Sequence, residues 1–154
     1  MSSLHIFVEP FAVRFTFEGT TFVAGIGSHS LTRGESWADP PRPEELTNAI
    51  GAVIDHLDDL VRDAPGSLGA EVVIDGVEVH AIAAVEAGRI PELPMVLSRD
   101  AVEDVFRTLA TEPADDRACN PGLPADLVGT VVGGCCVVVA IMRRLQLAAI
   151  TVAR

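Results

Sequence analysis

The stretch that decides the fold closes the chain, where residues 120–154 read NPGLPADLVGTVVGGCCVVVAIMRRLQLAAITVAR. Sixteen consecutive residues, 127–142, carry no charge, and charged side chains border this run at Asp126 and Arg143. A membrane-spanning helix needs about 20 apolar residues, so the run is short for that role. A helix that is apolar on all sides belongs in a protein interior. The stretch therefore predicts a buried core helix, followed by a strand at 149–152.

Small residues interrupt this predicted helix. Gly133 and Gly134 each lower helix propensity by about 1 kcal/mol relative to alanine, which indicates that another part of the backbone comes close to them. Cys135 and Cys136 are interpreted as small buried hydrophobic side chains, because neighbouring cysteines rarely bond each other. The chain has three cysteines and no basic, apolar leader at its start, so we expect a cytoplasmic protein.

Hydrophobic periodicity predicts the elements that precede this helix. Alternating apolar and polar residues predict three strands at 4–8, 12–17 and 21–24, and the segment GIGSHSLTRGE at 25–35 can continue the third. Apolar residues at helical spacing then predict an amphipathic helix that starts near Pro43 and ends at 64–66.

The second half of the chain alternates between strands and helices. A short buried strand is expected at 70–74, a helix from about His80 to Ala87, and a further helix with Ser98 as its N-cap. Prolines predict a loop at 91–94. This order predicts an α/β fold with one mixed sheet of about five strands and helices on its faces. No repeat or linker divides the chain, so residues 1–154 are expected to form a single domain.

The charge balance argues against two classes of partner. The 154 residues include 22 Asp and Glu and 11 basic residues, all of them Arg, which gives a net charge of −11. This acidic excess repels the phosphate backbone of nucleic acids and anionic lipid surfaces. We therefore expect neither nucleic acid nor a membrane as a partner.

Two segments resemble a known protein family. GIGSHSLTRGESWADPPRPEEL, at 25–46, is similar to a family segment in which a strand precedes S-L-x-x-G-S-x-x-L-T-E, a D-P-P loop and a helix. The closing stretch, 120–154, is similar to the family's last helix and strand, with a proline-glycine-leucine lead and a strand reading I-T-V. On these segments the chain resembles the second half of the exopolyphosphatase/guanosine pentaphosphate phosphatase (Ppx/GppA) family, in the actin-like ATPase superfamily.

The resemblance implies a ribonuclease H-like domain with three antiparallel strands followed by alternating helices and strands. In the family, two such halves face each other and hold phosphates in the cleft between them. The family hydrolyses terminal phosphate from polyphosphate or guanosine pentaphosphate, with a catalytic glutamate in the first half and usually a divalent cation. The resemblance covers most of this chain but only about half of a typical family core.

The residues that handle phosphate in the family are the ones that differ here. The family hairpin D-x-G-G-G-S/T-x-E corresponds to FVEPFAVRF at 7–15, which has no glycine and whose Pro10 lacks an N–H group. The family segment G-T-x-T-T corresponds to GVEVH at 76–80, which keeps the glycine and loses the hydroxyls. The family's R-A-D ahead of the apolar helix corresponds to the uncharged Leu-Val-Gly at 127–129.

Few side chains remain as candidates for a functional site. Glu9 and Glu78 are the candidate catalytic acids, with a surface charge as the alternative role for Glu78, and magnesium is the expected cofactor only if one of them is catalytic. The candidate ligand-binding residues, taken from the family positions, are Gly76, His80, Gly133 and Gly134. No histidine has metal-ligand spacing with a second histidine or cysteine, so no metal site is expected.

Two further features have structural alternatives. Trp37, the sole tryptophan, lies in the proline-flanked loop ESWADPP and is a candidate interface anchor, with packing over the sheet edge as the alternative. The neighbours Ser28 and His29 do not suggest a nucleophile and base, because adjacent residues on a strand point to opposite faces.

Two functions fit a kept scaffold with an altered site. The first is a non-catalytic half-domain that acts as a binding or protein-interaction module, needs no cofactor, and pairs with a second copy of itself or with a partner protein that supplies the missing half. The alternative is one half of a split or remodelled phosphohydrolase that acts on polyphosphate or guanosine pentaphosphate.

Overall fold

The computed structural model describes residues 2–31 and 37–154, which form one six-stranded sheet and five α-helices. The strands are β1 (Ser3–Val8), β2 (Val13–Phe17), β3 (Thr20–Ala24), β4 (Glu71–Asp75), β5 (Met95–Ser98) and β6 (Ala149–Val152). The helices are α1 (Pro43–Asp63), α2 (Val77–Ala87), α3 (Arg99–Thr111), α4 (Ala114–Arg117) and α5 (Val131–Arg144). The predicted α/β class is confirmed, with six strands where about five were expected.

The sheet has the strand order β3-β2-β1-β4-β6-β5. The first three strands form an antiparallel meander, β4 lies parallel to β1, and β6 lies parallel to β4. The unexpected sixth strand is β5, which pairs antiparallel with β6 at the sheet edge. A four-residue edge strand directly after Pro94 carries too little alternation to be recognised in a sequence. Ser98, which ends β5, is the predicted N-cap of α3 and accepts a hydrogen bond from the Ala101 N–H at 3.1 Å.

The helices that were expected on the faces of the sheet share a single face. In β1, Leu4, Ile6 and Val8 are buried, whereas the side chains between them, His5 and Phe7, are exposed. The connections from β1 to β4 and from β4 to β6 step in the same direction across the sheet. Right-handed connections in one direction place their helices on the same face. The opposite face carries His5 and Phe7, is not covered by the described residues, and is called the open face below.

Helix α5 is the centre of the hydrophobic core. Its residues Val131–Met142 are all buried, and it packs against α1, α2 and α3. The uncharged run is therefore the core helix that the sequence predicted. Within residues 2–31 and 37–154, no helix is both long and apolar enough to cross a membrane. Burial raises the pKa of the Cys136 thiol to about 12 and also raises the pKa of Cys135, so both thiols stay protonated and unreactive near neutral pH.

Helix α2 begins three residues earlier than predicted. It starts at Val77, immediately after Gly76, rather than near His80. Gly76 has a φ of +144°, and a Cβ there would collide with the backbone of Val8, so only glycine lets β4 turn into the helix at this point. Because α2 is apolar almost all round, no periodicity marks its first turn.

The close contact of α5 with its neighbours gives a first prediction. Gly133→Ala should lower the free energy of unfolding by about 1–3 kcal/mol, because a Cβ there would overlap the carbonyl oxygen of Ser28. Gly51→Ala on α1 is the matched control: nothing lies within 4 Å of a Cβ at that position. That change should raise the free energy of unfolding by about 0.5–1 kcal/mol through helix propensity. Urea denaturation measures both, and two shifts of the same sign would contradict the contact.

An ion pair between α3 and α5 gives a pH prediction. The Arg143 guanidinium donates two hydrogen bonds to the Glu103 carboxylate, at 2.9 and 2.8 Å, and these lower the pKa of Glu103. A carboxyl group with a lowered folded-state pKa stabilises the fold above its unfolded pKa, and the gain is lost as pH falls through the folded pKa. Glu103→Gln should therefore cost about 0.2–1 kcal/mol at neutral pH.

Urea denaturation at several pH values tests this expectation. The difference between wild type and Glu103→Gln should shrink as pH falls below about 4, where the carboxyl group becomes protonated. Asp104→Asn is the control, because among the described residues Asp104 pairs only with Arg107 on the same exposed helix face. A Glu103→Gln difference that stays constant down to pH 3, roughly one unit below the ordinary carboxyl pKa, would contradict the assignment.

Candidate functional site at the strand ends

Four segments meet at the edge of the sheet where β1 and β4 end. They are the β1–β2 turn at 9–12, the segment after β3 at 25–31, the start of α2 and the start of α5. Ligands of open α/β sheets bind outside the carboxyl ends of parallel strands, so a site is expected here. We call this region the strand-end edge.

The β1–β2 turn folds back onto the segment that follows β3. The backbone N–H of Ser28 donates to the carbonyl of Glu9 at 3.1 Å, and the N–H of His29 donates to the carbonyl of Pro10 at 2.7 Å. A Cβ on Gly27 would overlap the backbone of this turn, so the absence of a side chain permits the contact. The turn that binds phosphate in the resembling family is here bonded to its own chain.

The segment after β3 does not continue that strand. From Gly25 to Leu31 it forms a bend and turns, which corrects the expected extension, and positions 32–35 of the same prediction lie outside the described residues. Ser28 and His29 consequently do not alternate across a strand. The Ser28 hydroxyl lies 3.5 Å from the carbonyl oxygen of Glu9, to which it donates.

A buried carboxylate lies at the centre of the strand-end edge. Glu78, in the first turn of α2, is only 2% exposed, which rules out the surface charge considered for it. Its Oε1 is 2.9 Å from Nε2 of His29. Gly134 of α5 packs directly against it, since a Cβ there would overlap the Glu78 side chain. A carboxylate buried without a partner costs several kcal/mol, so the contact with His29 is what allows Glu78 to be buried.

The tip of the β1–β2 turn covers this pair. The ring of Phe11 meets the ring of His29 edge to face, with centroids 5.8 Å apart and an interplanar angle of 75°. Residues from all four segments thus form one stack, which we call the Glu78 cluster: Phe11, His29, Glu78 and Gly134.

His80 points away from the Glu78 cluster. Residues two apart on a helix are rotated by about 200°, so the two side chains leave α2 on opposite sides. The His80 Nε2 lies 2.8 Å from the Asp75 carboxylate and 3.3 Å from the carbonyl of Ala153. His80 therefore ties α2 to the ends of β4 and β6.

The candidate acids do not converge on one point. Glu9 pairs with Arg14 at 3.1 Å, and Glu78 pairs with His29. Together with His80, the three candidates lie at the same edge of the sheet, but each has a different partner. In residues 2–31 and 37–154, no three His, Cys, Asp or Glu side chains are grouped to hold a metal ion.

The glycines proposed as ligand-binding residues face protein rather than open space. Gly76 abuts the carbonyl of Val8, Gly133 abuts the carbonyl of Ser28, and Gly134 abuts Glu78. At each of these glycines, the absence of a side chain lets two segments of this chain pack closely.

Trp37 is partly buried and packs against the hydrophobic core. This position agrees with the packing alternative, and its role as an interface anchor stays a prediction.

The residue that sequence reasoning missed is His29. The sequence does point to Glu78, the residue that His29 contacts. In VEVHAIAAVEA, a glutamate near the start of an otherwise apolar helix predicts a buried charge that needs a partner. The partner itself lies 49 residues away, and no local pattern connects the two positions.

Solved structures share this fold, whereas no protein-family model and no curated protein matches the sequence. A Ppx/GppA enzyme of Aquifex aeolicus aligns with 99% of this chain and 53% of its own length, at a TM-score of 0.86 and 16% identity. An exopolyphosphatase-like protein aligns with 100% of this chain and 55% of its own length, at a TM-score of 0.90 and 15% identity. An exopolyphosphatase from Cytophaga hutchinsonii aligns with 99% of this chain and 53% of its own length, at a TM-score of 0.83 and 16% identity.

At such low identity the likeness shows the fold alone. This chain spans about half the length of these solved relatives. The resemblance read from residues 25–46 and 120–154 is confirmed at that level: the chain has the fold of about one half of a Ppx/GppA protein.

Proposed function

We propose that this chain is a non-catalytic half-domain that acts as a protein-interaction module. The observation that carries the proposal is the contact between the buried Glu78 and the partly exposed His29, which occupies the strand-end edge with the chain's own side chains. We expect it to act in the cytoplasm, with neither nucleic acid nor a membrane as a partner.

The charge at this edge disfavours phosphate. The start of a helix attracts anions, and Glu78 places the chain's own carboxylate in the first turn of α2, against the first turn of α5. A phosphate within 4 Å of this carboxylate would be repelled by about 4 kcal/mol at an effective dielectric constant of 20. The edge therefore opposes the ligand that the resembling family binds.

Several backbone donors at this edge are already used. A phosphate cradle needs several N–H groups that point at the ligand. Here the N–H of Glu9 donates to the carbonyl of Ala12 at 2.9 Å, and those of Ser28 and His29 donate to the turn. Pro10 has no N–H to offer. The turn therefore has little with which to bind an anion.

An interaction role is supported by the open face of the sheet and by the length of the chain. The open face exposes apolar side chains, and a chain of about half the relatives' length has no counterpart of their remaining half within it. A second copy or a separate partner protein would cover such a surface.

The alternative function is one half of a split phosphohydrolase. It is favoured by the same observation, that the chain spans about half the length of the solved relatives. A separate chain would then supply the other half, its catalytic glutamate and the ligands for magnesium. Glu9, whose side chain is about one-third exposed at 31%, would be the acid nearest to that second half.

The proposal predicts that the purified chain releases no phosphate. Polyphosphate or guanosine pentaphosphate with magnesium should give no release above the buffer rate, while an active exopolyphosphatase assayed alongside should give a clear signal. Magnesium-dependent release that disappears in Glu9→Gln or Glu78→Gln would overturn the proposal. Release that needs a second protein from the source cell would support the split enzyme.

The proposal also predicts that the Glu78–His29 pair is structural. His29→Ala leaves a buried carboxylate without its partner and should lower the free energy of unfolding by about 1–3 kcal/mol. His56→Ala is the control: His56 is exposed on α1 and contacts only the carbonyl of Ala52 among the bonds described for it, so the loss should stay within about 0.5 kcal/mol. Thermal or urea denaturation decides, and an unchanged stability of His29→Ala would contradict a structural pair.

A further inference from the structure

We infer that the open face of the sheet packs against the same face of a second copy of this chain. The inference rests on the proposed interaction function and specifies its surface and its occupant. Four properties of the open face support it: composition, charge, symmetry and area.

The open face is built from two rows of aligned side chains. The strand registers place one row across the sheet as Val23, Arg14, Phe7 and Asp75. They place the next row as Thr21, Thr16, His5, Val73, Thr151 and Val96. The large apolar members are well exposed, with Phe7 at 45%, Val23 at 56% and Val96 at 67%. Threonine side chains from β2, β3 and β6 lie among them.

The charged side chains in these two rows have partners within the chain, whereas Glu71, opposite Ser3, is an exposed acid beyond them on the same face. Arg14 pairs with Glu9, and Asp75 pairs with His80 when that imidazole is protonated. The acidic excess lies elsewhere, for example on exposed positions of α1 in the opposite layer, such as Glu44, Asp55, Asp58 and Asp59. The centre of this face therefore adds little to the repulsion between two chains of charge −11.

The arrangement of charge suits a two-fold axis. Phe7 on β1 has Arg14 beside it on β2 and Asp75 beside it on β4. A rotation of 180° about an axis along β1, in the plane between two facing sheets, sets Phe7 over Phe7 and Arg14 of each copy over Asp75 of the other. The face is thus complementary to itself, which is what a symmetric dimer requires.

The open face is also large enough. Six strands about 4.8 Å apart and about five residues long give roughly 500 Å² of flat sheet per copy. The area of the two copies together is about 1,000 Å², and projecting side chains add to it. This area meets the lower bound for a specific interface. A concavity of about 550 Å³, lined by His5, Phe7 and Val73 among others, lies on this face and can receive the aromatic ring of the partner copy.

Light scattering on the wild-type chain should give twice the mass of one chain. Phe7→Glu places a charge at the centre of the interface and should raise the dimer dissociation constant at least about 30-fold, as expected for a residue that dominates an interface. Ile90→Glu is the matched control, since Ile90 is 83% exposed and lies outside the sheet. It should leave the dimer intact.

A crosslinking test locates the axis without relying on a destabilising charge. Facing sheets lie about 10 Å apart, which is too far for a disulfide, so Phe7→Cys should form a covalent dimer with a short bis-maleimide crosslinker, in a Cys119→Ser background that removes the exposed natural thiol. Ile90→Cys in the same background should stay monomeric on a denaturing gel. Equal crosslinking at both positions, or crosslinking at Ile90→Cys alone, would overturn the inference.

The mass and the phosphate assay separate this inference from the proposed function. A wild-type monomer at the highest workable concentration, without phosphate release, overturns the dimer and leaves a partner protein as the occupant of the interaction module. Magnesium-dependent phosphate release overturns the non-catalytic function whatever the mass. A dimer that dissociates in Ile90→Glu but not in Phe7→Glu places the interface elsewhere and also overturns the inference.

Discussion

The contact between the start of α5 and the strand-end edge is the constraint on which the rest of the structure depends. Gly133 and Gly134 have no side chains, so α5 lies directly against the carbonyl of Ser28 and against Glu78. From this position α5 reaches α1, α2 and α3 and forms the centre of the core. Side chains at these two positions would push α5 away from the sheet and open the cluster that buries Glu78.

The same contact determines what the strand-end edge can do. In an open α/β sheet this edge is where backbone donors and helix starts are available to a ligand. Here α5, the β1–β2 turn and the Glu78–His29 pair use those groups for one another. The edge thus uses several of its own donors and a carboxylate for internal packing, and our proposal of a non-catalytic domain rests on that use.

The sequence predicted the elements whose side chains repeat with a clear period. The meander, α1 and the buried α5 follow from alternation, helical spacing and an uncharged run. The strand β5 and the first turn of α2 were missed, because four residues beside a proline and an apolar helix show no usable period. Glu78 and His29 were not paired, because their contact joins positions 49 residues apart through the close approach of α5. That approach was indicated by the two glycines, but its partner was not.

The helices lie on one side of the sheet, and the other side is therefore available to a partner. Both crossovers step in the same direction, so the helices bury one side of the sheet and the described residues leave the other uncovered. In a domain that binds its ligand at the strand-end edge, we would expect a second half to associate at that edge. Here Glu78, His29 and the β1–β2 turn occupy the edge, and exposed apolar side chains lie in register on the open face. Burial of apolar area is the main source of association free energy, which is why we propose the face rather than the edge as the place where a partner binds.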